Sequence, residues 1–359
     1  MLPARSLGRS EACSPRGARP ARDARRARVR PRALSVTKMS LSPHERDFVL
    51  DGIDQDLRVD GRGRLDHRSL TLELGTSPQA SGSARLRLGS TDVMVAVRAD
   101  IGTPPAGFPT HGRLSCSVEL SASADPAYEG RGGEKAAAEL SRALERGLLG
   151  ASAGGAASLS AAASGTRGGS SDHGAGAALA MESLGIQKGK SCWVLRCDCL
   201  VLSADGSALD ALSVAVKAAL ADCKIPKVTA VAGPNHGDPS ELELDDDPEQ
   251  CSRLDVSRVP LVATVTRFGN GGCVVDATRD ECALGDYALA VAADAEGNVR
   301  GVSTMSATKK SVDVSSLRAM TKTARDVARR MHAATDAFLV AAVSRAETGD
   351  EDDEDEDHL

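Results

Sequence analysis

Aromatic residues are scarce in this chain of 359 residues, which contains one Trp, two Tyr and four Phe. Its hydrophobic core must therefore be built mainly from Ala, Val and Leu. Aromatic residues are also not interleaved with basic ones, as they are in proteins that stack single-stranded bases on aromatic rings. The length is enough for one large domain or two small ones.

Paired cysteines are missing as well. The nine cysteines are scattered, none forms a Cys-x-x-Cys pair, and no apolar signal segment precedes them. This pattern is typical of reduced, mostly buried thiols inside the cell. Cys192, Cys197 and Cys199 lie in an apolar, strand-like run with no second ligand pair nearby. The sequence therefore predicts no metal site, no cofactor and no association with a membrane.

The two ends of the chain carry opposite charge. Residues 1–38 hold eleven Arg and Lys against Glu11 and Asp23, and residues 347–359 contain a long acidic run. We expect both ends to be disordered. The leader reads either as an organellar transit peptide or as sequence upstream of a start at Met39. The second interpretation is favoured because Ser42 and Pro43 then begin a capped helix.

Between the ends, the hydrophobic pattern mixes strands and helices. Residues 150–180 are almost wholly Gly, Ala and Ser, and they predict a flexible surface insertion. Period-two alternation and apolar runs predict strands, and helical spacing predicts long helices. The predicted strands are 68–74, 84–88, 93–99, 114–120, 193–202, 260–267, 272–276, 287–293 and 298–304, and the predicted helices are 134–148, 207–222 and 313–343.

Several ordered motifs carry a family resemblance. Asp56–Arg64 contains Arg-Val-Asp-Gly-Arg, and Gly82–Thr91 reads Gly-Ser-Ala-Arg-Leu-Arg-Leu-Gly-Ser-Thr. They resemble the "R-x-D-G-R" and "G-S-A-x-x-x-x-G-x-T" segments that open the RNase PH family. Further matches follow in order up to about Val340, and the chain is identified as a member of this family, similar to the ring subunits of the eukaryotic RNA exosome. These matches include Tyr128–Gly133, Leu209–Leu220, Ile225–Val228 and Val275–Thr278.

The resemblance implies an α+β architecture, the RNase PH fold, with a ribosomal-protein-S5-like β-α-β core and a second α+β half. We place the first half at 42–229 and the second at 230–343. The family includes phosphate-dependent 3′→5′ exoribonucleases and inert exosome ring subunits. The second class implies a hetero-oligomer with other ring and cap subunits, RNA passing through the ring, and a location in nucleus, nucleolus and cytoplasm. A third interpretation, an organellar RNA-binding module, depends only on the leader.

The phosphate cradle of active relatives reads "A-D-x-G-[ST]-R", and here it reads Ala204-Asp205-Gly206-Ser207-Ala208-Leu209. The resemblance places Leu209 where active relatives carry the phosphate-gripping Arg. Without that cation, the N–H groups of a helix N-terminus make a weak phosphate site. Ser207 is expected to act as an ordinary N-cap.

The acidic pair of active relatives follows the pattern "E-D-x5-D-M", and Asp280 and Asp286 have that spacing. Counting from Asp276 at a strand end and from the hairpin glycine Gly297 instead places the two carboxylate positions at Cys282 and Ala288. The favoured interpretation is that the catalytic carboxylates are absent and that Asp280 and Asp286 lie in a loop and at a strand start. The rival interpretation keeps them as the catalytic pair.

Arg131 is the candidate residue for contact with RNA, together with Arg142 and Arg146 on the same predicted helix. The alternative for each of these residues is an ordinary solvated helix face.

Overall fold

The computed structural model describes residues 41–105, 107–129, 131–149, 179, 181–231, 241–245, 250–269, 272–307 and 312–348. The predicted disordered leader, almost all of the insertion 150–180 and the acidic run 350–357 lie outside these residues. None of the described helices combines the length and the apolar character needed to cross a lipid bilayer.

The larger sheet is built from strands in which every second side chain is buried. Its order is β1-β2-β3-β6-β4, with β4 parallel to β6 and the other neighbours antiparallel, and β5 pairs with β6. Alternation in β2 and β3 buries one face and leaves Arg85 and Arg87 on the other, as the sequence pattern predicts. The strands are β1 (Leu70–Leu74), β2 (Gly82–Leu88), β3 (Thr91–Gly102), β4 (Arg113–Leu120), β5 (Gly185–Gln187) and β6 (Ser191–Ser203).

The second sheet has four antiparallel strands in the order β12-β11-β13-β14. Two short antiparallel pairs, β7 with β10 and β8 with β9, lie between the two sheets in sequence. The predicted division after residue 229 falls inside β8, and this boundary stays a prediction. The strands are β7 (Lys224–Ile225), β8 (Val228–Val231), β9 (Glu241–Leu244), β10 (Ser252–Arg253), β11 (Leu261–Arg267), β12 (Cys273–Val275), β13 (Tyr287–Ala293) and β14 (Val299–Ala307).

Helices join the two sheets into one core. Helix α3 contacts β2 and β3 of the larger sheet and β11 of the second, and residues 209–220 are all buried. A helix buried on all sides must be apolar around its circumference, and this one is built mainly from Ala, Val and Leu. Largely antiparallel sheets packed by helices confirm the predicted α+β class. The helices are α1 (Pro43–Asp54), α2 (Arg131–Leu149), α3 (Ala208–Asp222), α4 (Arg279–Leu284) and α5 (Val314–Thr348), with 3₁₀ turns at Pro126–Tyr128 and Met181–Leu184.

The structure confirms the helix start at Ser42, corrects the end of one helix and adds a helix that was not predicted. Ser42 caps α1 through a reciprocal capping box with Glu45. Helix α5 continues to Thr348, past the predicted end at residue 343 and into the first two residues of the predicted tail. Helix α4 was not predicted, because its six residues are too few to show a helical period.

The buried helix α3 carries one cation, Lys217, whose side chain is fully buried. Its ammonium donates to the Asp336 carboxylate on α5 and to His332 Nδ1 at 3.1 Å. The other ring nitrogen of His332, Nε2, donates to the Ala293 carbonyl at 2.9 Å. Desolvation lowers the pKa of His332, so the neutral ring acts as an acceptor for the lysine. Helix α3, helix α5 and β13 are joined by this network.

The Lys217–Asp336 pair predicts an asymmetric mutational effect. Asp336→Asn leaves a fully buried ammonium without a counter-charge, which costs about 3 kcal/mol. Lys217→Met leaves the Asp336 carboxylate, whose side chain is 46% exposed and stays hydrated, so we expect a smaller loss. Urea unfolding of both variants measures the loss in free energy of unfolding. The control is Asp326→Asn at an exposed position, for which we expect a loss near zero. A larger loss in Lys217→Met would contradict this account.

Candidate phosphorolytic site and RNA-contacting surface

The Arg-Val-Asp-Gly-Arg segment is folded around one buried carboxylate. Asp276, which follows β12, is fully buried and has a left-handed φ of 48°. Its Oδ2 accepts from the backbone N–H and Nε of Arg68, both at 2.9 Å, and from Arg62 Nη1 at 3.0 Å. Its Oδ1 accepts from Arg68 Nη2 at 2.6 Å. Burial would raise the pKa of Asp276, but the hydrogen bonds and charge of Arg68, with the charge of Arg62, leave it below its ordinary value.

Arg58, the first residue of the same motif, has a separate buried partner. Its guanidinium pairs with Glu281 on α4, and it also donates to the carbonyls of Val275 at 3.1 Å and Asp276 at 2.9 Å. Both members of the Arg58–Glu281 pair are almost fully buried. The motif arginines therefore hold the N-terminal segment against the second sheet and are not available to grip RNA.

The turn before α3 lies next to this cluster. Gly206 and Ser207 both have positive φ, 78° and 44°. A Cβ on Gly206 would lie 2.2 Å from the Ala277 carbonyl oxygen, so only glycine fits there. Ser207 occupies the N-cap position, but its side chain makes no cap hydrogen bond and instead donates to the Ala277 carbonyl at 3.3 Å. The expectation of an ordinary N-cap at Ser207 is therefore wrong, because the left-handed backbone turns the hydroxyl away from the helix.

Leu209 lies in the hydrophobic core. Its side chain is 3% exposed, and with Ala143, Val262 and Ala290 it lines an almost filled space between α2, α3 and the second sheet. The first turn of α3 also contains Asp210, whose carboxylate accepts from the Thr264 backbone N–H at 2.9 Å and from its hydroxyl at 2.6 Å. The first turn of α3 therefore places a core leucine, Leu209, and a buried acid, Asp210, next to each other.

The four candidate acid positions fall on two elements. Asp280 and Cys282 are exposed residues of α4, so the prediction of a loop at Asp280 is corrected to the first turn of a helix. Although Cys282 is exposed as a residue, its Sγ faces the Ala277 carbonyl at 3.6 Å, and desolvation at the sulfur raises the pKa of the thiol to about 11. Asp286 immediately precedes β13, as predicted, and its N–H donates to the Arg267 carbonyl. Ala288 is buried within β13 opposite Thr266.

A cavity of about 670 Å³ opens beside α1 and the turn before α3. Acidic residues from four separate segments line it, and none of the described residues that line it is Lys or Arg. A phosphate placed here would face carboxylates, which is the opposite of what a phosphate site requires. These residues are Glu45, Asp60, Asp205 and Asp280, together with the buried Glu281.

Arg131 begins a basic stripe along α2. Helical spacing places Lys135, Arg142 and Arg146 on the same side of the helix, and all four residues are exposed. The Nζ atom of Lys135 lies 3.9 Å from Oε1 of Glu139. Neither Arg131 nor Arg142 forms an ion pair within the described part of the chain. The opposite side of α2 packs on the core. The sequence analysis singled out Arg131, Arg142 and Arg146 but missed Lys135.

Other functional features were not found from sequence. The Asp276 cluster joins residues about 210 positions apart, and local pattern does not reveal such contacts. Asp210 lies in α3 beside the apolar stripe that predicted this helix, and a lone acid in such a helix is the only signal it leaves. Within the described residues, no group of three or more His, Cys, Asp or Glu is arranged to hold a metal ion.

Comparisons with known proteins agree with this architecture. The RNase PH family model, described as "3' exoribonuclease family, domain 1", matches residues 66–226. A Dictyostelium discoideum protein named putative exosome complex exonuclease RRP42 is 31% identical over 281 residues, covering 72% of this chain and 86% of the relative. The chain belongs to the RNase PH family. An exosome complex component Rrp42 of Pyrococcus furiosus is 30% identical, covering 72% of this chain and 80% of the relative.

Solved structures confirm the predicted RNase PH fold. A chain of the "archaeoglobus fulgidus exosome with RNA bound to the active site" has a TM-score of 0.59 and 25% identity, covering 80% of this chain and 95% of that chain. A chain of an archaeal exosome core has the same TM-score at 24% identity, covering 81% and 96%. The predicted similarity to exosome ring components is confirmed by these relatives. The assignments of Leu209, Cys282, Ala288 and Arg131 stay predictions.

Asp210 predicts a pH effect on stability. Burial raises its pKa from 3.8 to about 7, although the Thr264 hydrogen bonds oppose the rise. The folded state therefore holds a proton that the unfolded state has lost, and Asp210 makes stability fall as pH rises from about 4 to 7. Melting temperatures from pH 5 to 8 should fall more steeply in the parent protein than in Asp210→Asn.

Desolvation lowers the pKa values of His67 and His332, so these histidines make stability rise with pH. Both are present in the parent protein and in Asp210→Asn, and the difference between the two pH profiles therefore reports on Asp210. The exposed Asp47→Asn is the matched control. Superimposable pH profiles of the parent and Asp210→Asn would contradict the elevated pKa.

Proposed function

We propose that this chain is a catalytically inert subunit of the RNase PH-like ring of the RNA exosome. The observation that carries the proposal is the burial of Leu209 in the core at the position where active relatives place a phosphate-gripping Arg. An Arg there would put a guanidinium into a packed apolar site, which is costly without a partner. Leu209→Arg is therefore not a simple route back to activity.

The charges around the turn support the same conclusion. The motif arginines Arg58 and Arg62, and the nearby Arg68, are all paired with carboxylates of this chain. The cavity beside the turn is lined by acids, and Cys282 and Ala288 carry no carboxylate. Phosphorolysis needs a bound phosphate nucleophile and a general acid or a metal held by acidic residues, and this arrangement favours neither.

The proposed role follows from the relatives. Rrp42 proteins are named as exosome components, and a similar chain belongs to an exosome with RNA bound. We propose that this chain joins other RNase PH-like subunits and cap subunits in a hetero-oligomeric ring through which RNA passes. Its work would then be 3′-end maturation of ribosomal RNA and RNA turnover, in nucleus, nucleolus and cytoplasm.

The rival function is a phosphate-dependent 3′→5′ exoribonuclease. One observation favours it, since Asp280 lines the same cavity as Asp205, at the start of the candidate cradle. The name of the Dictyostelium relative also contains the word exonuclease. The two functions differ in one measurable property, which is the release of nucleoside diphosphates in the presence of phosphate.

The first prediction from the proposed function is that the purified chain releases no nucleoside diphosphate from the 3′ end of RNA when inorganic phosphate is added. The reason is the missing cation and carboxylates at the matched positions. Chromatographic detection of nucleoside diphosphates measures this, with a phosphate-free reaction as control. Phosphate-dependent release that is abolished by Asp286→Ala, and likewise by Asp280→Ala, would establish the rival function.

The second prediction concerns the basic stripe on α2. In the assembled ring, Arg131→Ala should weaken binding of single-stranded RNA similarly for all sequences, because an interaction with phosphate carries no base information. The slope of log affinity against log salt should fall by about 0.7, the value expected when one cation no longer neutralises a phosphate of a single strand. Fluorescence anisotropy over a salt series measures both effects, and the exposed Lys322→Ala on α5 is the matched control. An unchanged affinity and slope would assign Arg131 to an ordinary solvated face.

A further inference from the structure

The acid-lined cavity beside α1 also has an exposed apolar floor, and we call the whole feature the α1 groove. It lies where α1, the loop that contains Asp56–Arg64 (the motif loop), the turn before α3 and the start of α4 meet. Its volume of about 670 Å³ is enough for several side chains of another molecule. Its floor consists of Leu41, Phe48, Val49 and Val59, and its acidic rim consists of Glu45, Asp60, Asp205 and Asp280.

Large apolar side chains are unusually exposed in and beside the α1 groove. Phe48 is 68% exposed and Val59 is 67% exposed, and Leu57, two residues before Val59, is 61% exposed. Single exposed apolar residues are common, but a cluster rimmed by polar groups marks an interaction surface. The exposed Phe48 is not needed to hold α1 in place, because Val49 and Ile53 already anchor α1 against Phe268, Val274 and Ala277.

The rim of the α1 groove carries negative charge that the neighbouring arginines do not balance. Arg62 is shared between Asp60 and Asp276, and Arg68 is shared between Asp205 and Asp276. Glu45 and Asp280 add further carboxylates. Nucleic acid is disfavoured because its phosphates would face this rim. An isologous contact with a second copy is also disfavoured, since it would bring like charges together.

We propose that the α1 groove docks a segment of a partner protein in which arginines or lysines surround an aliphatic or aromatic anchor. The anchor would fill the floor against Phe48 and Val59, and the cations would pair with Asp60 and Asp280 on the rim. A buried apolar anchor within a polar rim is the arrangement that concentrates binding energy in protein interfaces. The inference goes beyond the proposed function and does not depend on whether the chain is catalytic.

The basic leader of this chain is a second possible occupant, because residues 1–38 hold eleven Arg and Lys and precede Leu41. The test therefore uses two forms of the protein in complex with its ring partners, the full chain and a chain that begins at Met39. The probe is a fluorescein-labelled peptide of twelve residues in which arginines flank a Leu-Phe pair. Two control peptides replace the arginines with glutamates or the Leu-Phe pair with Gly-Ser.

Fluorescence anisotropy should show the arginine peptide binding both forms, and neither control peptide should bind. Phe48→Ser and Asp280→Lys should each weaken binding at least about tenfold. Both side chains are exposed, so the substitutions should leave folding intact. The matched controls are Val314→Ser, which is 61% exposed on α5, and Glu119→Lys, which is exposed on β4, and they should leave binding unchanged.

Four results would overturn the proposal. The first is that the arginine peptide does not bind the chain that begins at Met39, and the second is that the Gly-Ser peptide binds as tightly as the arginine peptide. The third is that the two control variants weaken binding as much as Phe48→Ser and Asp280→Lys do. The fourth is that single-stranded RNA displaces the peptide. Binding by the Met39 form but not by the full chain would assign the α1 groove to the leader instead. None of these results depends on phosphorolysis, so they are distinguishable from failure of the proposed function.

Discussion

The pairing of the buried Asp276 carboxylate with Arg62 and Arg68 is the interaction on which this end of the structure depends. An unpaired carboxylate in the interior costs several kcal/mol, and Arg62 and Arg68 remove that cost by pairing with it. Arg62 belongs to the motif segment and Arg68 follows it closely, so together they fix this part of the chain against the end of β12. Arg58 adds a second contact through Glu281. Arg68 also donates to the Asp205 carbonyl at 2.7 Å, so the same cluster positions the turn before α3.

Helix α3 imposes the second constraint, because it is packed between the two sheets. Every side chain from Leu209 to Leu220 is buried, so a charged residue on this helix must find its partner inside the protein. Lys217 pairs with Asp336, and Asp210 is held by Thr264. A surface cation at position 209 would need a different packing of α2 and β13, because Leu209 fills the space between them. The leucine at position 209 is therefore part of the core packing.

The sequence was sufficient for the elements whose pattern is local. Alternation predicted β2 and a near-continuous apolar run predicted β3. The helix predicted from the apolar stripe of α5 and the cap predicted at Ser42 were also correct. It was insufficient where long-range contacts decide the conformation. Ser207 turns away from its helix because the Ala277 carbonyl, 70 positions away, accepts its hydroxyl. The Arg58–Glu281 pair spans 223 positions, and the acidic surroundings of Asp280 come from four segments that are far apart in sequence.

Under the proposed function, the start of α3 is a phosphate cradle that lacks its phosphate-binding cation and stays folded. A helix N-terminus favours an anion because its first N–H groups and its dipole are positive. Here Asp205 supplies negative charge within the turn before α3, so the helix start needs no bound phosphate for its stability. The absence of a cation at position 209 then leaves no unpaired charge behind. Asp205 also lines the neighbouring cavity and, with Glu45, Asp60 and Asp280, makes it negative, which opposes RNA and favours a basic protein segment.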